Sequence, residues 1–269
     1  MNWNQYLCCE NEKPLDRLVE GYSNTSVFRT IAFVGDSLSS GEFQIKKADG
    51  TWGFYDLYEY SWGQYLARKN GLTAYNFSKG GMTAKQYLES FAEKKGFWNP
   101  ELKAQAYVIA LGVNDVLNSA MEIGSVSDVD VSDYRNNKPT FLGYYATIVS
   151  RYKEISPDAK FFFVTIPNDD YPERSDRERK IAALKEIADK LHDLAKLFDN
   201  TYVIDLYRYA PAFDNKFREK FFLHGHMNPS GYIFFASLVD SYIDYIIRHN
   251  PEDFRTVGLI NSGISYPKE

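Results

Sequence analysis

The sequence predicts an α/β protein, a three-layer α/β/α sandwich on five mainly parallel strands. Three observations lead there. Five short apolar runs alternate with helix-like stretches. The runs are nearly continuous in apolar residues rather than alternating, which suits strands covered on both faces. The stretches between them carry apolar residues at helical spacing.

In chain order, Thr30–Val34 (TIAFV) is the first strand, ended by Gly35, and Thr73–Phe77 (TAYNF) is the second. Ala106–Leu111, Lys160–Ile166 and Thr201–Leu206 complete the set. Helical stripes are expected over Ser61–Lys69, over Leu142–Ile155, and from Ile181 through Leu184, Ile187, Leu191 and Leu194 to Phe198. Asn228-Pro229 reads as an N-cap followed by proline at the first helical position, opening a last helix with Phe234, Leu238, Tyr242 and Ile246. One domain is expected over 1–269, with a core of about 30–248 between extensions at 1–29 and 249–269. Two excursions, Glu42–Tyr60 and Met121–Thr140, leave the carboxyl ends of the first and third strands, where open parallel sheets place their ligands.

Composition narrows the function classes. A net charge of −5 without a dense Lys/Arg stripe argues against nucleic acid. No apolar stretch approaches the roughly 18 residues of a membrane span. The first residues lack a basic segment followed by an apolar core, so a cytoplasmic location is the expectation. The two cysteines, Cys8 and Cys9, are adjacent and form no disulfide framework. Aromatics reach 16%, and those left exposed would suit sugars or other flat partners.

Four islands carry chemistry. Gly35-Asp36-Ser37-Leu38-Ser39 sets a serine just past a buried strand, where a neighbouring base could activate its hydroxyl; alone, it is equally a turn or a helix cap. Asn76-Phe77-Ser78-Lys79-Gly80-Gly81-Met82-Thr83 follows the second strand, and its glycines let a backbone N–H approach a ligand, or simply make a tight turn. Gly112-Val113-Asn114-Asp115 follows the third strand and offers an Asn amide to a developing oxyanion, or an Asx-turn. His224-Gly225-His226-Met227-Asn228 lies after the fifth strand and supplies a rigidly held base. His192 and His249 read as helix-surface residues.

With these islands at strand ends in this order, the chain resembles the SGNH (GDSL-type) hydrolase and esterase family from about Ile31 to Ile247. The resemblance implies that family's flavodoxin-like sheet and an ester hydrolase with Ser37, Gly81, Asn114 and His226 as the catalytic residues. Gly81 is preferred to Gly80 because Gly81-Met82-Thr83 fits the family's Gly-x-Thr, and His226 to His224 because His226-x-Asn228-x-x-Gly231-Tyr232 fits its tail. Ser39 stands where the Gly-x-Ser-x-Gly elbow of α/β-hydrolases has its last glycine, which argues against that fold.

One position departs from the pattern. The family's Asp, three residues before the histidine, is Leu223 here. Two replacements are open: a backbone carbonyl near Leu223, which is the preferred one, or a distant carboxylate such as Asp205, Asp169 or Asp170. Asp36 is expected to support the turn. His224 and His226 with Asp36 could be read as metal ligands, but no third histidine or cysteine has suitable spacing, so neither metal nor cofactor is expected. Trp52, Tyr55 and Trp62 are the candidate substrate-binding aromatics, and a small acyl ester on a carbohydrate is the leading substrate. An acyltransferase using the same Ser–His site and a catalytically silent carbohydrate-binding module are the rival readings, and homo-oligomerisation is left open.

Overall fold

The computed structural model describes residues 4–172 and 175–264; the outermost residues of the two expected extensions lie outside the described residues. All five expected strands form: β1 (Thr30–Gly35), β4 (Thr73–Ser78), β5 (Ala106–Ala110), β6 (Lys160–Val164) and β7 (Thr201–Ile204). They pair in parallel in the order β4-β1-β5-β6-β7. Chain order therefore reverses at β1, the topological switch point at which this kind of sheet opens a crevice.

Alternate residues along each strand enter two different cores. Ala32, Val34, Tyr107, Ile109, Phe161 and Phe163 face helices α2 (Phe141–Ile155) and α3 (Arg177–Ala195). Ile31, Phe33, Val108, Phe162 and Val164 face α1 (Trp62–Asn70) and α4 (Pro229–His249). Burial on both faces explains why these strands read as unbroken apolar runs. Side-chain caps open three of these helices, while α3 begins at Arg177, ahead of the stripe expected from Ile181. Ser61 accepts from the Gln64 N–H, Thr140 from Gly143, and Asn228 from Gly231 with Pro229 following it.

Phe162 sits midway along β6, fully buried, edge-on to Phe28 and stacked with Tyr202. Phe162→Ala is expected to cost about 3–5 kcal/mol of stability, read by denaturant unfolding, because the cavity left between strand and helix cannot fully collapse.

The segments flanking the sheet pack on its margins. Glu12 pairs with Arg248, and the Ser23 hydroxyl donates to Asp240, tying the chain ahead of β1 to α4. After α4, Phe254 packs on Phe28 and Tyr202 near the amino ends of the strands. The first excursion contains structure that the sequence does not announce: an antiparallel hairpin of β2 (Glu42–Lys46) and β3 (Trp52–Asp56), with Glu42 opposite Asp56. Most of its residues are partly or fully exposed, so it lacks the apolar signal of the sheet strands.

Candidate active site

Ser37 stands at the switch point because β1 ends in a residue without a side chain. A Cβ on Gly35 would lie 2.2 Å from the Ser39 hydroxyl, so glycine lets the chain turn tightly out of the sheet. Asp36 then caps the single helical turn Ser37–Ser40, its carboxylate accepting the Leu38 N–H at 3.2 Å. Ser37 is half-buried, and among the described residues neither its N–H nor its hydroxyl has a hydrogen-bond partner. An unpartnered N–H is what the first residue of a helical turn leaves open.

The second and third islands arrive from neighbouring strands. Gly81 follows β4 with φ +73°, the left-handed region that glycine enters without strain. Its N–H is also without a partner among the described residues, whereas the Gly80 N–H donates to Asp56 at 3.2 Å. Asn114, buried after β5, donates from Nδ2 to the Met82 carbonyl at 3.2 Å and reaches Asp36 at 3.4 Å, while Asn118 donates to its Oδ1 at 2.6 Å.

His226 lies in a tight turn closed by the Leu223 N–H donating to the His226 carbonyl at 3.0 Å and held beyond it by the Asn228 cap. Its ring meets a carboxylate that the sequence reading did not consider. Glu42, the first residue of β2, places Oε1 3.0 Å from His226 Nε2. His226 Nδ1 is buried and without a hydrogen-bond partner.

This geometry corrects the expectations about what holds the histidine. Among the described residues no carbonyl near Leu223 receives the ring: Nδ1 has no hydrogen-bond partner and Nε2 lies against Glu42. The distant carboxylates are also committed elsewhere. Asp205 pairs with His192 and Arg208, Asp169 with Lys180 and Arg218, and Asp170 with Arg177. His192 accordingly sits on α3 with Nε2 2.7 Å from Asp205 rather than free on the surface. His224 is exposed and stacks on Trp52 with ring centroids 4.1 Å apart, apart from the contact that His226 makes with Glu42.

Of the three candidate binding aromatics, Trp52 and Tyr55 are exposed on the hairpin. Trp62 is not available for stacking. It opens α1 behind the Ser61 cap and is only 1% exposed, its ring packed edge-on against Phe33 at 5.0 Å and tilted against Phe235.

Ser37, Gly81, Asn114 and His226 all line one cavity of about 560 Å³ at the carboxyl ends of the strands, with Phe54 of the hairpin and Trp62 in its wall. At its other side stand Asp169, Lys180 and Arg218. Burial raises the Asp169 carboxyl, but Lys180 and Arg218 outweigh it and hold the group below its ordinary value. Near the serine the balance runs the other way. Burial pushes Asp36 up to about 7, with Asp115 and Glu42 adding to it, and burial with Asp56 beside it pushes Glu42 up to about 7. Asp115, buried under the Ala84 N–H that it accepts, is pushed up to about 6. Burial pulls the His226 imidazole below its ordinary value, outweighing Asp56, which acts in the opposite sense. Buried titratable groups shifted toward neutrality in this way are common where protons are transferred.

Comparison with known proteins bears on the family and the fold. The model of the GDSL-like lipase/acylhydrolase family matches residues 33–233. Sequence comparison with curated proteins returned no match. Among solved structures, a protein from Lactobacillus plantarum superposes with a TM-score of 0.55 at 17% identity, over 81% of this chain and 97% of that one. A family two carbohydrate esterase from Clostridium thermocellum, in complex with cellohexaose, gives 0.53 at 15% identity over 90% of this chain and 66% of its own. The acetyl xylan esterase AlAXEase gives 0.50 at 17% identity, over 78% and 97%. At these identities the structural likenesses speak for the fold.

Proposed function

The chain belongs to the GDSL-like lipase/acylhydrolase family and is an ester-hydrolysing enzyme, and from that premise we propose that it works by acyl transfer through Ser37 and His226 on small acyl groups carried by a carbohydrate. The observation that carries the mechanism is the convergence of Ser37, Gly81 and Asn114, from the loops after β1, β4 and β5, and of His226, from the turn ahead of α4, on one cavity.

Ser37 Oγ attacks the ester carbonyl as His226 takes its proton, and the carbonyl π pair moves onto oxygen. The unpartnered N–H groups of Ser37 and Gly81 receive that oxyanion, joined by the Asn114 amide when it releases its long contact to Asp36. His226 then gives the proton to the leaving alcohol as the C–O bond breaks. Water, deprotonated by the same imidazole, releases the acyl group as a carboxylic acid and restores Ser37.

The substrate class rests on the rim. Phe54 in the cavity wall, with Trp52, Tyr55 and Tyr60 exposed on the same excursion, offers flat apolar surface, and this suits a sugar ring better than a flexible acyl tail. Two of the fold's neighbours, an acetyl xylan esterase and a carbohydrate esterase, fit the same reading. The test is turnover of p-nitrophenyl acetate and of an acetylated xylo-oligosaccharide, with product analysis in added alcohol. Hydrolysis of both, with free acetate as the main product, is expected; acyl transfer to the alcohol as the main outcome would make the enzyme a transferase. Because the productive imidazole is neutral, kcat/KM should fall as pH drops below neutrality and level off above it. A rate that climbs toward acid would reject His226 as the base.

A further inference from the structure

We propose that Glu42 is the positioning acid of His226, its carboxylate 3.0 Å from Nε2 supplying from the hairpin what Leu223 cannot supply from the histidine's own loop. The assignment rests on the reading of Ser37 and His226 as the hydrolytic pair.

Glu42 is held for this task. Its side chain is 10% exposed, and its backbone carbonyl accepts the Tyr232 hydroxyl at 2.7 Å, fixing the start of β2 against α4. A Cβ on residue 80 would lie 1.9 Å from Glu42 Oε2, so glycine there leaves room for the carboxylate. Asp56, opposite Glu42 in the hairpin, accepts the Gly80 N–H and the Ser40 hydroxyl, the latter at 2.5 Å. The two acids therefore divide the neighbouring donors, and Glu42 keeps the imidazole.

The hairpin also grips the rest of the histidine loop. Gln44 Oε1 accepts the Gly225 N–H at 3.0 Å, Trp52 stacks flat on His224, and Phe54 meets the His226 ring edge-on at 6.4 Å. Each residue from His224 to His226 is thus touched by β2 or β3, which is more than loop packing needs and suits a ring whose orientation matters.

The contact dictates a tautomer. A carboxylate on Nε2 keeps a proton on that nitrogen, so the lone pair is left on Nδ1, the nitrogen without a partner. The Ser37 proton then moves to Nδ1 as the Oγ–C bond forms, and returns from Nδ1 to the leaving alcohol oxygen. Glu42 stays ionised throughout and stabilises the imidazolium between those two steps. The groups that set this equilibrium are Asp56 on β3, Asp36 after β1, His224 on the loop and Tyr232 on α4. Glu42 and His226 titrate as a pair, and the working form is the one that has lost their shared proton.

The experiment compares wild type, Glu42→Gln and Ser37→Ala on p-nitrophenyl acetate, with ¹⁵N NMR of the histidine rings. Glu42→Gln is expected to lower kcat on the order of 10²- to 10⁴-fold with little change in KM. Its acid limb should move to lower pH, because the carboxylate that favours the imidazolium is gone. In wild type the His226 ring should be protonated at Nε2 at pH 8. Wild-type kcat in Glu42→Gln beside an inactive Ser37→Ala would overturn this inference and leave the esterase reading standing. An active Ser37→Ala would reject the esterase reading itself. If Glu42→Gln does not fold, the wild-type spectrum still decides, since a ring protonated at Nδ1 would overturn the assignment.

Discussion

Ser37→Ala is expected to lower ester hydrolysis by about 10⁴-fold or more while leaving the fold intact. Both halves of that expectation come from the same local structure. The Ser37 hydroxyl has no hydrogen-bond partner among the described residues, so removing it strands no donor or acceptor. The cap of its helical turn comes from Asp36, and alanine is at least as good a helix former as serine. An unchanged melting temperature together with lost turnover would therefore assign the effect to chemistry. A fluorophosphonate should label Ser37 in wild type and fail to label the variant. A variant that still hydrolyses p-nitrophenyl acetate at the wild-type rate would remove Ser37 from the mechanism.

How much of this was readable beforehand follows from where each signal lies. The three central strands β1, β5 and β6 are buried on both faces, so their apolar runs stand out, and all five strands start where the sequence puts them. Ser37, Gly81 and Asn114 lie within a few residues of those strands and His226 just ahead of a capped helix, so the elements that hold the candidate residues are legible. The hairpin was not legible. Glu42–Lys46 and Trp52–Asp56 form a two-stranded ribbon that reaches the core only through Phe43, and with so little of either face buried the two-residue period disappears.

That gap accounts for the missed partner of His226. The family pattern points to an acid on the histidine's own loop, whereas Glu42 comes from the hairpin that follows β1. Sequence distance carries no signal for such a contact. The usable clue was position: an excursion leaving the nucleophile's own strand at the carboxyl edge must lie over the site, so its acids were candidates. The same blindness affects Trp62. It was grouped with the exposed aromatics of the excursion, yet Ser61 caps α1 at that point, and the stripe Trp62, Leu66, Ala67 turns the ring into the core.

His226→Ala should bring turnover down to the residual rate of Ser37→Ala, and the double variant should fall no further. A nucleophile and its base act as one unit: once the proton has nowhere to go, the hydroxyl contributes little, and once the hydroxyl is gone, the base has nothing to activate. The residual rate shared by all three variants would be the work of the remaining donors, the backbone N–H groups of residues 37 and 81 and the Asn114 amide, on a water attack. The fold should tolerate the change, because Glu42, already pushed up to about 7, can take a proton when its partner is removed and so avoid a bare buried charge. The measurement is p-nitrophenyl acetate turnover for each single variant and the double at pH 8, corrected for the enzyme-free rate. His226→Ala retaining activity within about tenfold of wild type would separate the imidazole from the serine. It would leave Ser37 needing another base, and the neighbouring carboxylate of Asp36, buried and pushed up to about 7, is the group that would then face that test.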